Sequence, residues 1–165
     1  MALQVTELAH VGIEVGGVDI ARPIDAQLAA QLVALWNEHG IVVFRDQDVT
    51  PENQIAFSRL FGELEMHPLK ATTSAQYPEL FMLVNEPEKE KFMTASYDGE
   101  DIVGRLDWHM DMHYTGKPNR GALLRSVVCA EEGGLTGFAD LARAWDALDE
   151  DTRALLEKIE VTYAF

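Results

Sequence analysis

Residues 25–47 read DAQLAAQLVALWNEHGIVVFRDQ, and this stretch encodes one complete helix followed by one buried strand. Asp25 is a helix N-cap, because its short carboxylate can accept a hydrogen bond from an amide of the first turn that has no partner within the helix. Leu28, Leu32, Leu35 and Trp36 then recur at i, i+4, i+7 and i+8, which lines up one apolar stripe. Gly40 ends the helix, since glycine enters the left-handed conformation of a C-terminal cap without a steric penalty. Ile41-Val42-Val43-Phe44 is a continuous apolar run, the pattern of a short strand covered on both faces.

Working outward, His10 to Asp19 alternates, with Val11, Ile13 and Val15 on one face before Gly16-Gly17 turns the chain. Thr50-Pro51-Glu52 starts a second helix, threonine as cap and proline at the first helical position, with Ile55, Phe57, Leu60 and Phe61 as its apolar residues before Gly62. Leu80 to Val84 predicts another strand. Residues 86–107 are rich in Glu, Lys, Asp and Gly and predict a long polar connection, either a lid or binding loop or a plain surface segment. Strands are expected over Trp108–Tyr114 and Ala122–Ala130, then a turn at Glu131-Glu132-Gly133-Gly134 and a short strand through Phe138. A last helix, capped by Asp149, carries Leu155, Leu156 and Ile159 on one side, and Val161–Phe165 begins a further strand. Neither repeats nor a composition shift divide the chain, so residues 1–165 are expected to form a single domain. Helices that come early and strands that come late make the class α+β.

Composition narrows the function classes. A chain of 165 residues, 47% apolar and 25% charged, can bury a real core and matches a soluble globular protein. No apolar run reaches the roughly 20 residues of a membrane helix, and Met1 to Glu7 lacks the basic and apolar regions of a signal peptide. Cys129 is the only cysteine, which excludes a disulfide within the chain and fits a cytoplasmic protein. A formal net charge of -15 argues against nucleic acid and anionic membranes as partners, because polyphosphate surfaces repel it. The charge says nothing firm about a small-molecule substrate, whose pocket can be locally positive.

The chemistry centres on Trp108-His109-Met110-Asp111. In a strand, residues i and i+2 point to one face, so His109 and Asp111 would aim an imidazole nitrogen and a carboxylate oxygen at one point. Those are two of the three donors of a 2-His-1-carboxylate facial triad. With 5 histidines among 165 residues, chance alone supplies about 0.4 His-x-Asp matches. Taken by itself, the pair is as well read as a strand histidine hydrogen-bonded to its neighbour.

The surrounding landmarks weigh against coincidence. Gly12-Ile13-Glu14-Val15-Gly16-Gly17-Val18-Asp19 with Arg22-Pro23 comes first, then His39-Gly40-Ile41-Val42-Val43-Phe44-Arg45-Asp46-Gln47 and Thr50-Pro51-Glu52. Ala56-Phe57-Ser58-Arg59-Leu60-Phe61-Gly62-Glu63-Leu64 follows, then His67-Pro68, the His109-x-Asp111 motif and Gly133-Gly134-Leu135-Thr136. In this order they resemble the taurine/2,4-D dioxygenase family, the TauD/TfdA-like branch of the 2-oxoglutarate oxygenases, along essentially the whole chain.

The resemblance implies a double-stranded β-helix (jelly roll) with flanking N-terminal helices. It also implies an Fe(II)-dependent enzyme that uses 2-oxoglutarate and O2 to hydroxylate a small, anionic organic substrate, releasing succinate and CO2. His109 and Asp111 match the family's first two iron ligands. Thr136 matches the threonine that helps hold the distal carboxylate of 2-oxoglutarate, although a β-branched strand residue is its ordinary reading. His67 matches a histidine facing the substrate anion in taurine-specific members, and Asn85 stands where substrate-facing groups occur. His113 is read as a pocket-wall or surface residue. The family's distal histidine and its 2-oxoglutarate-binding arginine have no counterpart in this sequence, and Arg125 is expected to make a local ion pair instead. Leu135 departs from the acidic residue many members carry there. The expectation is therefore the N-terminal part of such a domain, incomplete at the C-terminus, weak for iron as it stands, and homo-oligomeric because an uncovered sheet edge associates. The alternative is a shortened, catalytically silent relative that serves as an oligomerising or ligand-binding module.

Overall fold

The computed structural model describes residues 3–66, 73–83, 94–97, 100–103, 108–129 and 131–163. The chain falls into two compact units, the first Met1–Glu63 with Leu123–Thr162, the second Leu64–Ala122 with Tyr163–Phe165.

In the first unit, β1 (Gln4–Glu7) runs antiparallel to β2 (Ile13–Gly16), with Val5 opposite Val15 and Glu7 opposite Ile13. The chain then forms α1 (Ala26–His39) and returns as β3 (Val42–Val43), parallel to β2 with Ile13 opposite Val42. A parallel return needs a crossover segment, and α1 is that crossover. Its ends are those the sequence predicts. Asp25 accepts from the Leu28 amide at 2.8 Å, and Gly40, at φ 72°, donates to the Trp36 carbonyl at 2.8 Å. The second helix, α2 (Pro51–Ser58), opens with a reciprocal box: Thr50 Oγ1 accepts from the Asn53 amide, and Asn53 Oδ1 accepts from the Thr50 amide.

Packing explains why this sheet holds. Ile13, Val15, Val18, Ile20, Leu32 and Phe57 form the buried cluster, with Leu28, Leu35, Val42, Phe44 and Phe61 packed around it. Phe57 meets Phe44 and Phe61 edge-on at centroid distances of 5.3 and 5.4 Å, an arrangement the ring quadrupoles favour. Gly12, at φ 82°, lies so close to the start of β3 that a Cβ there would sit 2.7 Å from Ile41 Cβ and from the Ile41 carbonyl oxygen. Gln47 ties the connection after β3 to the turn after β2. Its Oε1 accepts from the Ile20 amide at 2.9 Å, and its Nε2 donates to the carbonyls of Val18 and Arg45.

The later part of this unit departs from expectation. The described residues of Ala122–Ala130 form no strand; side chains of the earlier segment meet their neighbourhood instead, with Gln54 Nε2 donating to the Leu123 carbonyl at 3.4 Å. Arg125, expected in an ion pair, donates to the Val49 carbonyl at 2.5 Å. The short strand expected through Phe138 and the described residues of Val161–Phe165 are likewise irregular. A strand's amides need a neighbouring backbone, and strand propensity without one does not make a ladder. Where a turn is expected at Glu131-Glu132-Gly133-Gly134, the chain bends at Glu131-Glu132, and Gly133 and Gly134 both have positive φ. Two helices end the unit. The first, α3 (Leu141–Asp146), capped by Asp140, was not foreseen; the second, α4 (Glu150–Leu156), is capped by Asp149 as predicted.

In the second unit the segment read as a polar connection contains a hairpin. There β4 (Thr94–Tyr97) pairs antiparallel with β5 (Glu100–Val103), Thr94 opposite Val103 and Tyr97 opposite Glu100. The signal for it lay in the intervening Asp98-Gly99, a dipeptide suited to a two-residue hairpin turn. Leu80 to Val84, predicted as a strand, contributes a single bridge between Phe81 and Thr73; Val84 lies outside the described residues.

Candidate metal centre

Trp108 to Tyr114 is not a strand. His109 and Met110 are irregular, and Asp111–Tyr114 forms a turn in which Met112 takes a positive φ of 58°. Three hydrogen bonds close this turn. The Thr115 amide and hydroxyl both reach the Met112 carbonyl, at 3.0 and 2.8 Å, and His113 Nδ1 contacts the Met110 carbonyl oxygen. The pleat expected for the motif is therefore absent, and a turn orients its side chains.

The turn nevertheless converges the two predicted ligands. His109 Nε2 lies 3.3 Å from Asp111 Oδ1, with the side chains 46% and 57% exposed. An imidazole nitrogen and a carboxylate oxygen this close, and this exposed, are donors of the kind that could hold one divalent ion together. Trp108, 76% exposed, does not wall the histidine off from solvent. Among the described residues no group of three His, Cys, Asp or Glu side chains could hold a metal, so His109 and Asp111 stand as a two-donor set there.

The other predicted site residues are placed differently. Thr136 is exposed in the first unit, on the irregular segment after Gly133-Gly134. His67 and Asn85 lie outside the described residues. His113 is half-buried, and its ring meets Tyr163 at a centroid distance of 4.2 Å and 70°, and Tyr114 at 5.5 Å. Sequence reasoning passed over Met112. A positive φ at a residue other than glycine carries no signature in the sequence, yet such strain often accompanies functional turns.

The family model for taurine catabolism dioxygenase TauD, TfdA family, matches residues 4–165. The chain belongs to the TauD/TfdA family. Members of this family use Fe(II), with 2-oxoglutarate and O2 as cosubstrates. Among curated relatives, the (S)-phenoxypropionate/alpha-ketoglutarate-dioxygenase of Sphingobium herbicidovorans is 36% identical, over 94% of this chain and 51% of its own length. The alpha-ketoglutarate-dependent 2,4-dichlorophenoxyacetate dioxygenase of Cupriavidus pinatubonensis is 30% identical, over 94% of this chain and 55% of its own. A solved structure of AAD-2 in complex with Mn(II) and N-oxalylglycine matches 94% of this chain and 50% of that one, at 25% identity and a TM-score of 0.63. The chain thus spans about half the length of the TauD/TfdA relatives it matches.

Proposed function

We propose that residues 1–165 are the N-terminal part of a jelly-roll dioxygenase domain that hydroxylates a small, anionic organic substrate, consuming 2-oxoglutarate and O2 and releasing succinate and CO2. The observation that carries this reading is the 3.3 Å approach of His109 Nε2 to Asp111 Oδ1 in a member of this family. These two atoms would hold Fe(II), which when bound supplies the oxygen chemistry that side chains lack. Holding the ion by one neutral and one anionic donor leaves coordination positions for a cosubstrate. The Thr136 hydroxyl is assigned to the distal carboxylate of 2-oxoglutarate, and His67 and Asn85 to the substrate. An anionic substrate is supported by the relatives, since phenoxypropionate and 2,4-dichlorophenoxyacetate are both carboxylates. We place the protein in the cytoplasm as a homo-oligomer.

The test is a panel of small carboxylates, sulfonates and sulfate esters incubated with protein, Fe(II) and 2-oxoglutarate while succinate is measured. At least one acid should raise succinate formation above the substrate-free rate, and His109→Ala should abolish that increment. Turnover unchanged in His109→Ala would remove His109 from the metal. A second reading is a shortened, catalytically silent relative that serves as an oligomerising or ligand-binding module. It predicts 2-oxoglutarate or metal binding with no succinate from any acid in the panel.

A further inference from the structure

We infer that His113 is a positioning residue for the His109–Asp111 pair, acting through the peptide that lies between the two; this rests on the metal-binding reading above. The acceptor of His113 Nδ1 is the carbonyl oxygen of Met110, the residue between the two ligands. A carbonyl oxygen can only accept, so this contact requires the proton on Nδ1. The imidazole thereby fixes the orientation of the Met110–Asp111 peptide, whose rotation would swing Asp111 away from His109.

Two further observations give the contact its purpose. The turn it closes is strained, because Met112 sits at φ 58° between Asp111 and His113. A residue other than glycine stays there only when its surroundings hold it. His113 has a contact of its own: its half-buried ring meets that of Tyr163, fifty positions further along the chain, at a centroid distance of 4.2 Å. The Thr115 amide and hydroxyl, both on the Met112 carbonyl, close the other side of the same turn. A partner outside the ligand pair that orients it is a recurrent feature of metal sites, and its loss costs about ten- to a hundredfold in affinity.

Two variants separate the hydrogen bond from the ring. His113→Phe keeps an aromatic ring for Tyr163 but has no donor, whereas His113→Asn places an amide N–H close to where Nδ1–H stood. Mn(II) titration followed by the free-ion electron paramagnetic resonance signal should show affinity about tenfold weaker in His113→Phe, recovered in large part by His113→Asn. Affinity unchanged in His113→Phe, or equally weak in both variants, overturns the inference. A long-range proton–nitrogen spectrum of the wild-type protein reads the same bond without a substitution. It should show His113 protonated at Nδ1, and an Nε2–H tautomer overturns the inference even where a variant does not fold. Wild-type protein that takes up no Mn(II) would instead overturn the metal reading and the inference together, so the two failures stay distinguishable.

Discussion

Ile13 to Phe61 and Leu123 to Thr162 belong to the same compact unit and carry similar kinds of apolar residue, yet among the described residues the fully buried ones all lie in the first segment. Leu123 of the second is packed half-buried against them. Ile13 and Leu32 are fully enclosed, and Val15 and Phe57 nearly so. In the later segment Val128 is 87% exposed and Leu135 96%. The first segment has its partners close at hand: a strand, a crossover helix, a returning strand and a second helix that cover one another. The later one has caps and helical turns but no sheet among the described residues. Apolar content and local propensity are therefore common to both segments, and the difference is the presence of a surface to pack on.

The contrast can be broken most forcefully at the core. Leu32→Ala should destabilise the protein by about 2 to 5 kcal/mol, whereas Leu135→Ala should change stability by less than about 0.5 kcal/mol. Urea unfolding midpoints measure both, and equal losses would mean that Leu135 is covered in solution. Glycines sharpen the comparison at a smaller scale. Gly12→Ala sets a methyl group 2.7 Å from Ile41 on top of an unfavourable φ, and should cost about 2 to 4 kcal/mol. Gly133, at φ 71°, has nothing within 4 Å of the point where a methyl group would stand, so Gly133→Ala should cost only the backbone term, about 1 kcal/mol.

The smallest effect lies in α4. The Thr152 amide, and then its hydroxyl, hold the Asp149 carboxyl below the usual carboxylate range. A carboxyl whose folded-state pKa is depressed stabilises the helix fully above its unfolded pKa, and that contribution is lost as pH falls through the folded value. The Thr152 amide resonance should follow this titration, with its midpoint below that of an unperturbed aspartate. A midpoint at the ordinary value would mean that the cap is not formed in solution.

How far the sequence could be read follows from the range of each interaction. The limits of α1 at Asp25 and Gly40, the Thr50 cap of α2 and the Asp149 cap of α4 were all legible. Their hydrogen bonds join residues no more than four apart. The family was legible from an ordered set of landmarks. The strands over Ala122–Ala130 and Trp108–Tyr114 were misassigned, and β1, β4 and β5 were missed, because pairing depends on a neighbour that alternation does not name. His109 and Asp111 come within 3.3 Å of one another through a turn with Met112 at positive φ, where the residue pattern predicts a strand pleat.

The sequence by itself determined the limits of α1, the N-caps of α2 and α4 and the family, and it named His109 and Asp111 as candidate ligands, since these depend on residue type and short spacing. The tertiary structure decided which apolar residues are buried and which strands pair, and the fold of the chain around Met112 decided how His109 meets Asp111. Each of these depends on backbone and side chains brought together in space, and spacing along the chain does not encode that approach.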